Sequence, residues 1–178
     1  MAIYAIDGTT PQIDPTAYIH PDAVVIGDVR IGPESTVWPG AILRGDFGTI
    51  TIGARTSVQD GTVVHATVEM PTTVGDDCVI GHLVHLEGCR LEDGTLVGSG
   101  SVVLHNAVVE KGATVGANAV VTNNMIVPAG ALAVGIPAVI KEGKSNLLAI
   151  ETAAAVYVWN GKRYATSLVR IDTPQGGA

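Results

Sequence analysis

Residues 91–127, L-E-D-G-T-L-V-G-S-G-S-V-V-L-H-N-A-V-V-E-K-G-A-T-V-G-A-N-A-V-V-T-N-N-M-I-V, carry an aliphatic side chain at every sixth position: Leu91, Val97, Val103, Val109, Val115, Val121 and Val127. Four places after most of these stands a small residue, as at Thr95, Ser101, Ala107, Ala113, Ala119 and Ala131. Neither the helical period of about 3.6 residues nor the two-residue alternation of a half-buried strand reproduces this phase. A hexapeptide period marks a parallel β-helix, in which each hexad is one short strand plus a turn. The aliphatic residue and the small residue four places on then point into the coil.

The same phase runs back towards the N-terminus through Ile13, Ile19, Val25, Ile31, Val37 and Leu43, then Ile52, Val58 and Val64, then Val74, Ile80 and Leu86. Residues 45–51 and 66–73 interrupt it. Insertions in a solenoid are expected to leave as loops on the working face. The period predicts an all-β solenoid over residues 1–137. A helical segment follows over 138–171, and a disordered tail over 172–178. Apolar residues at Leu147, Leu148, Ile150, Ala154, Val158 and Leu168 predict a C-terminal α-helix packed alongside, capped by Ser145 and broken near Gly161.

Composition narrows the function classes. A chain of 178 residues suits one domain with a full core. Hydrophobic residues make up 47% but aromatic ones only 4%, which implies a thin core of Val, Ile, Leu and Ala. The net charge of −7 disfavours nucleic-acid phosphates. No apolar run reaches the roughly 18 residues of a membrane span. The N-terminal M-A-I-Y-A-I-D-G lacks a signal-peptide pattern, so a cytoplasmic protein with no membrane partner is expected. Cys78 and Cys89 are expected to be reduced thiols, one buried and one near a turn.

The repeat then acts as a ruler for the polar residues. Val64, Val74 and Ile80 occupy successive faces, so Leu86 returns to the face of Val64 one coil later. His65 and Glu87 each follow that inward aliphatic. They point outward on one face about 4.8 Å apart, close enough to share a metal ion with bonds near 2.0–2.2 Å. His82, two past Ile80, belongs near a corner and reaches such an ion only from a neighbouring copy, which argues for an oligomer with sites between subunits. His85 flanks Leu86 on the side opposite Glu87, about 6.6 Å away along the strand. His20 and His105 are expected on turns or faces without chemistry, Glu69 in a solvated loop, and Trp38 packing on an outer face.

Four motifs in this order carry a resemblance: R-G-D at residues 44–46, Q-D-G-T-V-V-H at 59–65, G-H-L-V-H-L-E-G-C at 81–89, and a C-terminal helix bearing Tyr157. Together they resemble the γ-class carbonic anhydrases, left-handed β-helical homotrimers that hydrate CO2 to bicarbonate. The resemblance implies left-handed coiling and a Zn²⁺ site, with Fe²⁺ or Co²⁺ also possible. It implies His65 and a neighbouring copy's His82 as ligands, and Gln59 as the residue that hydrogen-bonds the metal's water. It also implies Tyr157 beside the site, and Arg44, Asp46 and Asp60 as a polar network at the subunit interface. The sequence departs from the family at the third ligand position, where Glu87 replaces a histidine while His85 appears two residues earlier. Ser57 stands where an asparagine is common. Three outcomes follow: Glu87 coordinates, His85 coordinates instead, or the metal is lost. Coordination by Glu87 adds negative charge and predicts a weak hydratase at neutral pH. Hexapeptide solenoids also include CoA-dependent acyltransferases, for which His105 in L-H-N-A is the only candidate base. A catalytically silent trimeric scaffold is the third reading.

Overall fold

In the computed structural model, which describes residues 2–172, the hexads become short strands, each hydrogen-bonded to its equivalent in the next coil. Leu96 pairs with Thr114 and Thr114 with Leu132, a step of eighteen residues per coil. The chain is a left-handed parallel β-helix with three faces. The first bears Val63–His65, His85–Glu87, Val102–Val103 and Val120–Val121. The second bears Thr72–Val74, Arg90–Leu91, Val108–Val109 and Ile126–Val127. The third runs from Tyr18–Ile19 to Leu132–Val134 and ends with Val139–Lys141, which pairs antiparallel with that last strand. Within the described residues no helix is long and apolar enough to cross a membrane.

The corners explain why six residues suffice. From 94 to 130 every sixth residue (94, 100, 106, 112, 118, 124, 130) is Gly or Asn with φ between +57° and +71°. This left-handed conformation costs most L-residues roughly 1–2 kcal/mol, nothing for Gly and less for Asn. Inside the coil Val64, Ile80, Leu86 and Val103 are fully buried, and burying each such side chain contributes about 1.5–3 kcal/mol. Inward hydroxyls at the small positions are satisfied by the next coil: Thr62 Oγ1 donates to the Gly81 carbonyl at 2.7 Å and Ser101 Oγ to that of Gly116 at 2.8 Å.

Several details differ from expectation. Residues 45–51 leave the coil only as a bulge: Gly27 pairs with Gly45 and Val29 with Ile50, so residues 46–49 stand opposite Asp28 alone and Phe47 is exposed. They lie within one continuous strand, Ile42–Ile52, which bends around a corner against Val24–Ile31 with a register shift between Gly27 and Val29. Leu43, Ile50 and Ile52 keep this stretch anchored because all three stay buried. The second insertion does project, closed by reciprocal backbone hydrogen bonds between Thr67 and Met70 at 3.1 and 3.2 Å. Both cysteines are free and buried, and Cys78 directly follows the turn at Asp76 and Asp77. Burial pushes the Cys89 thiol up to about 12.

Helix α1 spans Leu147–Ser167. Its cap is Asn146, whose side chain accepts from the Ala149 amide at 3.1 Å, rather than Ser145, whose hydroxyl is bonded to Thr114 at 2.7 Å. The helix crosses the third face, where Trp38 contacts the rings of Tyr18, Tyr157 and Tyr164. Nor does Gly161 break it. The helix approaches the sheet so closely there that a Cβ would lie 2.6 Å from Thr36 Cγ2 and 3.3 Å from Tyr18 Cβ. Gly161→Ala therefore sets a helix-propensity gain of up to about 1 kcal/mol against an overpacking cost of about 1–3 kcal/mol. The cost wins, and thermal denaturation is expected to show a Tm lower by about 2–6 °C. A variant melting at or above the wild type would show that the contact relaxes freely.

The remaining tail, residues 173–178, lies outside the described residues.

Candidate functional site

Glu87 sits at the centre of the polar cluster. It pairs in register with His65 on the coil below, and its Oε1 lies 2.9 Å from His65 Nδ1. Its other oxygen, Oε2, lies 3.2 Å from Nε2 of His85, two residues back on the same strand. From the coil above, Nε2 of His105 stands 3.7 Å from Oε1. Three of the chain's five imidazoles thus converge on one carboxylate. Hydrogen bonding from His65 outweighs partial burial and, with His85 and the charges of His65 and His105, holds Glu87 below the usual carboxylate range.

A second carboxylate fixes the other side of His65. Asp46 Oδ1 lies 3.1 Å from His65 Nε2, and Arg44 donates to Asp46 Oδ2 at 2.5 Å. Burial raises the Asp46 pKa, but the hydrogen bonds from Arg44 and His65 prevail and leave it lowered. Residues that the R-G-D resemblance placed at an interface therefore also orient His65 within one chain. The continuous strand Ile42–Ile52 makes this possible, carrying Asp46 past the end of Val63–His65. Phe47, exposed beside it, meets the His65 ring edge-on at 6.4 Å between centroids.

His82, Asp60, Gln59 and Tyr157 form a separate group where the third face turns into the first. His82 Nδ1 lies 2.9 Å from Asp60 Oδ2, a pair apart from the hydrogen bonds and ion pairs that join His65 and Glu87. Gln59 is buried next to Asp60. The Tyr157 phenol is shifted upward by burial and by the charge of Asp60, and its ring packs on Trp38 at 5.8 Å. Ser57, at the position where asparagine is common, accepts from Trp38 Nε1 at 3.0 Å and so supports the helix contact.

His105, expected on a turn or face and named only as a candidate acyltransferase base, lies against Glu87 in the structure. The ruler came close: this coil is seventeen residues, Leu86 pairing with Val103, so Leu104 lies over Glu87 and His105 over Gly88, the next residue. Two donors on one ion with bonds of about 2.0–2.2 Å lie roughly 3.0–3.5 Å apart, close to the nitrogen-to-oxygen separations around Glu87. Imidazole and carboxylate are the donor types that zinc-class ions take. His105 Nε2 is a buried nitrogen with no hydrogen-bond partner, an orphan that a cation would satisfy. Among the described residues of one chain, however, no group of three or more His, Cys, Asp or Glu already surrounds a common point that could hold a metal. In this arrangement His65 and Glu87 close on each other, so an ion would have to separate them.

These features define a class: a left-handed hexapeptide solenoid with a histidine–carboxylate cluster on its first face. Residues 10–45 and 88–123 match the family model described as bacterial transferase hexapeptide (six repeats). The crystal structure of a hexapeptide transferase family protein from Anaplasma phagocytophilum superposes with a TM-score of 0.88 at 35% identity, covering 92% of this chain and 98% of that one. The carnitine operon protein CaiE of a Proteus strain is 44% identical over 61% of this chain and 55% of its own length. The mitochondrial gamma carbonic anhydrase 1 of Arabidopsis thaliana is 42% identical over 56% of this chain and 38% of its own. The chain belongs to the hexapeptide-repeat family, among the members that are similar to γ-class carbonic anhydrases. It spans about half the length, or less, of these curated relatives.

Proposed function

We propose that the protein is a γ-carbonic-anhydrase-like metalloprotein that hydrates CO2 to bicarbonate, weakly at neutral pH, as a homotrimer with its sites between copies. The observation that carries this reading is the in-register pairing of His65 with Glu87, donor atoms 2.9 Å apart on adjacent coils. Asp46 occupies Nε2 of His65 and leaves Nδ1 as the donor, the usual role of a carboxylate behind a metal-binding imidazole. Asp60 holds Nδ1 of His82 in the same way, leaving its Nε2 to a neighbouring copy. Leu83, next to His82, supports such a contact: it is 71% exposed at φ +58°, a bulky side chain that a neighbour would cover. Gln59 is the proposed water-orienting amide and Tyr157 the proposed neighbour of the substrate, both from the His82 half. His85 keeps Glu87 in place through Oε2.

A Zn²⁺, Fe²⁺ or Co²⁺ ion held by His65, Glu87 and a neighbouring copy's His82 would supply Lewis acidity that lowers the pKa of water towards about 7. Glu87, as an anion in place of an imidazole, weakens that effect. A cytoplasmic setting belongs to the same reading, supported by two cysteines left as free thiols.

Protein purified without chelator is expected to carry about one metal ion per chain, and its CO2 hydration to be slow near pH 7 and faster near pH 9. Absence of metal would leave the scaffold reading in its place. An efficient rate near pH 7 would refute the argument from the charge of Glu87. The relation to a hexapeptide transferase family protein along 92% of this chain favours CoA-dependent acyl transfer as the second reading. Submicromolar binding of acetyl-CoA by calorimetry would move the conclusion to it.

A further inference from the structure

We infer that His105 supplies a second imidazole from the same chain to the ion held by His65 and Glu87, taking over the coordination lost where Glu87 replaces a histidine. The inference rests on the metalloprotein reading above and adds a donor to it. Three observations converge on this nitrogen. His105 Nε2 is shielded from solvent and has no hydrogen-bond partner, an uncommon state for a polar atom beside a carboxylate, and one that leaves its lone pair or proton unused. At 3.7 Å from Glu87 Oε1 it is too far for a hydrogen bond. It stands just beyond the roughly 3.0–3.5 Å that separates two donors on one ion, a gap that a small rotation of the ring closes.

The third observation explains why the ring lies there. A Cβ on residue 88 would come within 2.7 Å of His105 Cδ2, the ring carbon bonded to Nε2. The ring therefore lies over Gly88, where no side chain stands in its way. Met70 Cβ lies 3.0 Å from the same point, so the corner is crowded on two sides. The missing side chain at Gly88 leaves the imidazole room to lie beside Glu87. The in-chain donors become His65 Nδ1, His105 Nε2 and a Glu87 oxygen. Two imidazoles and one carboxylate with further positions open is a set that five- or six-coordinate Fe²⁺ and Co²⁺ accept. With His82 of a neighbouring copy added, tetrahedral Zn²⁺ would have no position left for water, whereas those ions would.

The test is titration of the chelator-treated full-length protein with Co²⁺, read by calorimetry and by visible absorption. Wild type is expected to bind with the weak visible bands of five- or six-coordinate cobalt. His105→Ala should bind at least about 10-fold more weakly, beyond the lower end of what even a supporting residue contributes. Its bands should also intensify as the coordination number drops, a change that a purely structural role for His105 would not produce. His105→Gln keeps a polar side chain at the corner and should behave as the alanine variant does, which decides the matter if the alanine variant does not fold. Wild type and both variants binding with equal affinity and identical spectra would overturn the role of His105 while leaving the metalloprotein reading intact. Wild type that binds no Co²⁺ would sink both.

Discussion

Substituting His65 with alanine is expected to lower metal affinity by well over 100-fold, more than any other single change in the cluster. The residue joins everything at this face. One nitrogen meets Glu87 and the other meets Asp46, through which Arg44 is also tied in. Removing a supporting carboxylate such as Asp46 typically costs 10- to 100-fold in affinity. His65→Ala removes the donor itself and leaves Asp46 with nothing to orient, so its effect should exceed the upper end of that range. The fold should survive. His65 points out of the coil while Val64 beside it fills the core, so no cavity forms. Glu87 keeps its contact with His85 and part of its exposure to water, which limits the cost of the lost partner. Calorimetric titration with Zn²⁺ or Co²⁺, alongside far-ultraviolet circular dichroism, checks both halves. A His65→Ala protein that retains native affinity would remove the His65–Glu87 pair from any metal site and the proposed hydratase with it.

How much of this was legible in the sequence differs from residue to residue. The aliphatic ruler placed Val64, Ile80 and Leu86 in the core and put His65 and Glu87 side by side, because six-residue phasing is a property of the chain alone. It also separated His82 from that pair. His105 was within the same ruler's reach, one coil above Gly88, yet Gly88 lies at a corner, where strand phasing no longer says which way a ring turns. What turns it is the bare backbone of Gly88, a three-dimensional fact. The stretch 45–51 was read only in part for a related reason. A break in hexad phase shows that residues have been added, but whether they project or extend a strand depends on the partner. Here Val24–Ile31 pairs with both ends of it, Gly27 with Gly45 and residues 29–31 with 50–52, and only residues 46–49 bulge out opposite Asp28. The helix cap slipped by one residue because Ser145 and Asn146 are both good caps, and the choice was made by Thr114, far away in sequence.

The partnership of those two long strands leads to the largest expected effect on stability, Gly27→Ala. Gly27 adopts φ +76° at the point where the register shifts, and a Cβ there would stand 2.3 Å from the Gly45 carbonyl oxygen and 2.9 Å from its carbon. Two costs add. The left-handed backbone conformation charges an alanine roughly 1–2 kcal/mol. The clash is with backbone in the neighbouring coil, which cannot rotate away as a side chain can, so overpacking adds about 1–3 kcal/mol. The sum, about 2–5 kcal/mol, is a large part of the 5–15 kcal/mol that typically separates folded from unfolded states. Gly8 supplies the control. Its φ is +78°, yet nothing lies within 4 Å of where its Cβ would be. Gly8→Ala should show the backbone cost alone, and the difference between the two urea midpoints isolates the clash. The site should register it as well, since Gly45 moves if Gly27 gains a methyl group, and Asp46 is the next residue, the one that holds His65. Gly27→Ala is therefore expected to weaken metal binding even below its unfolding midpoint, whereas Gly8→Ala should leave it unchanged. Equal destabilisation by the two variants would mean that the corner between the long strands yields easily and that the position of Asp46 does not depend on it.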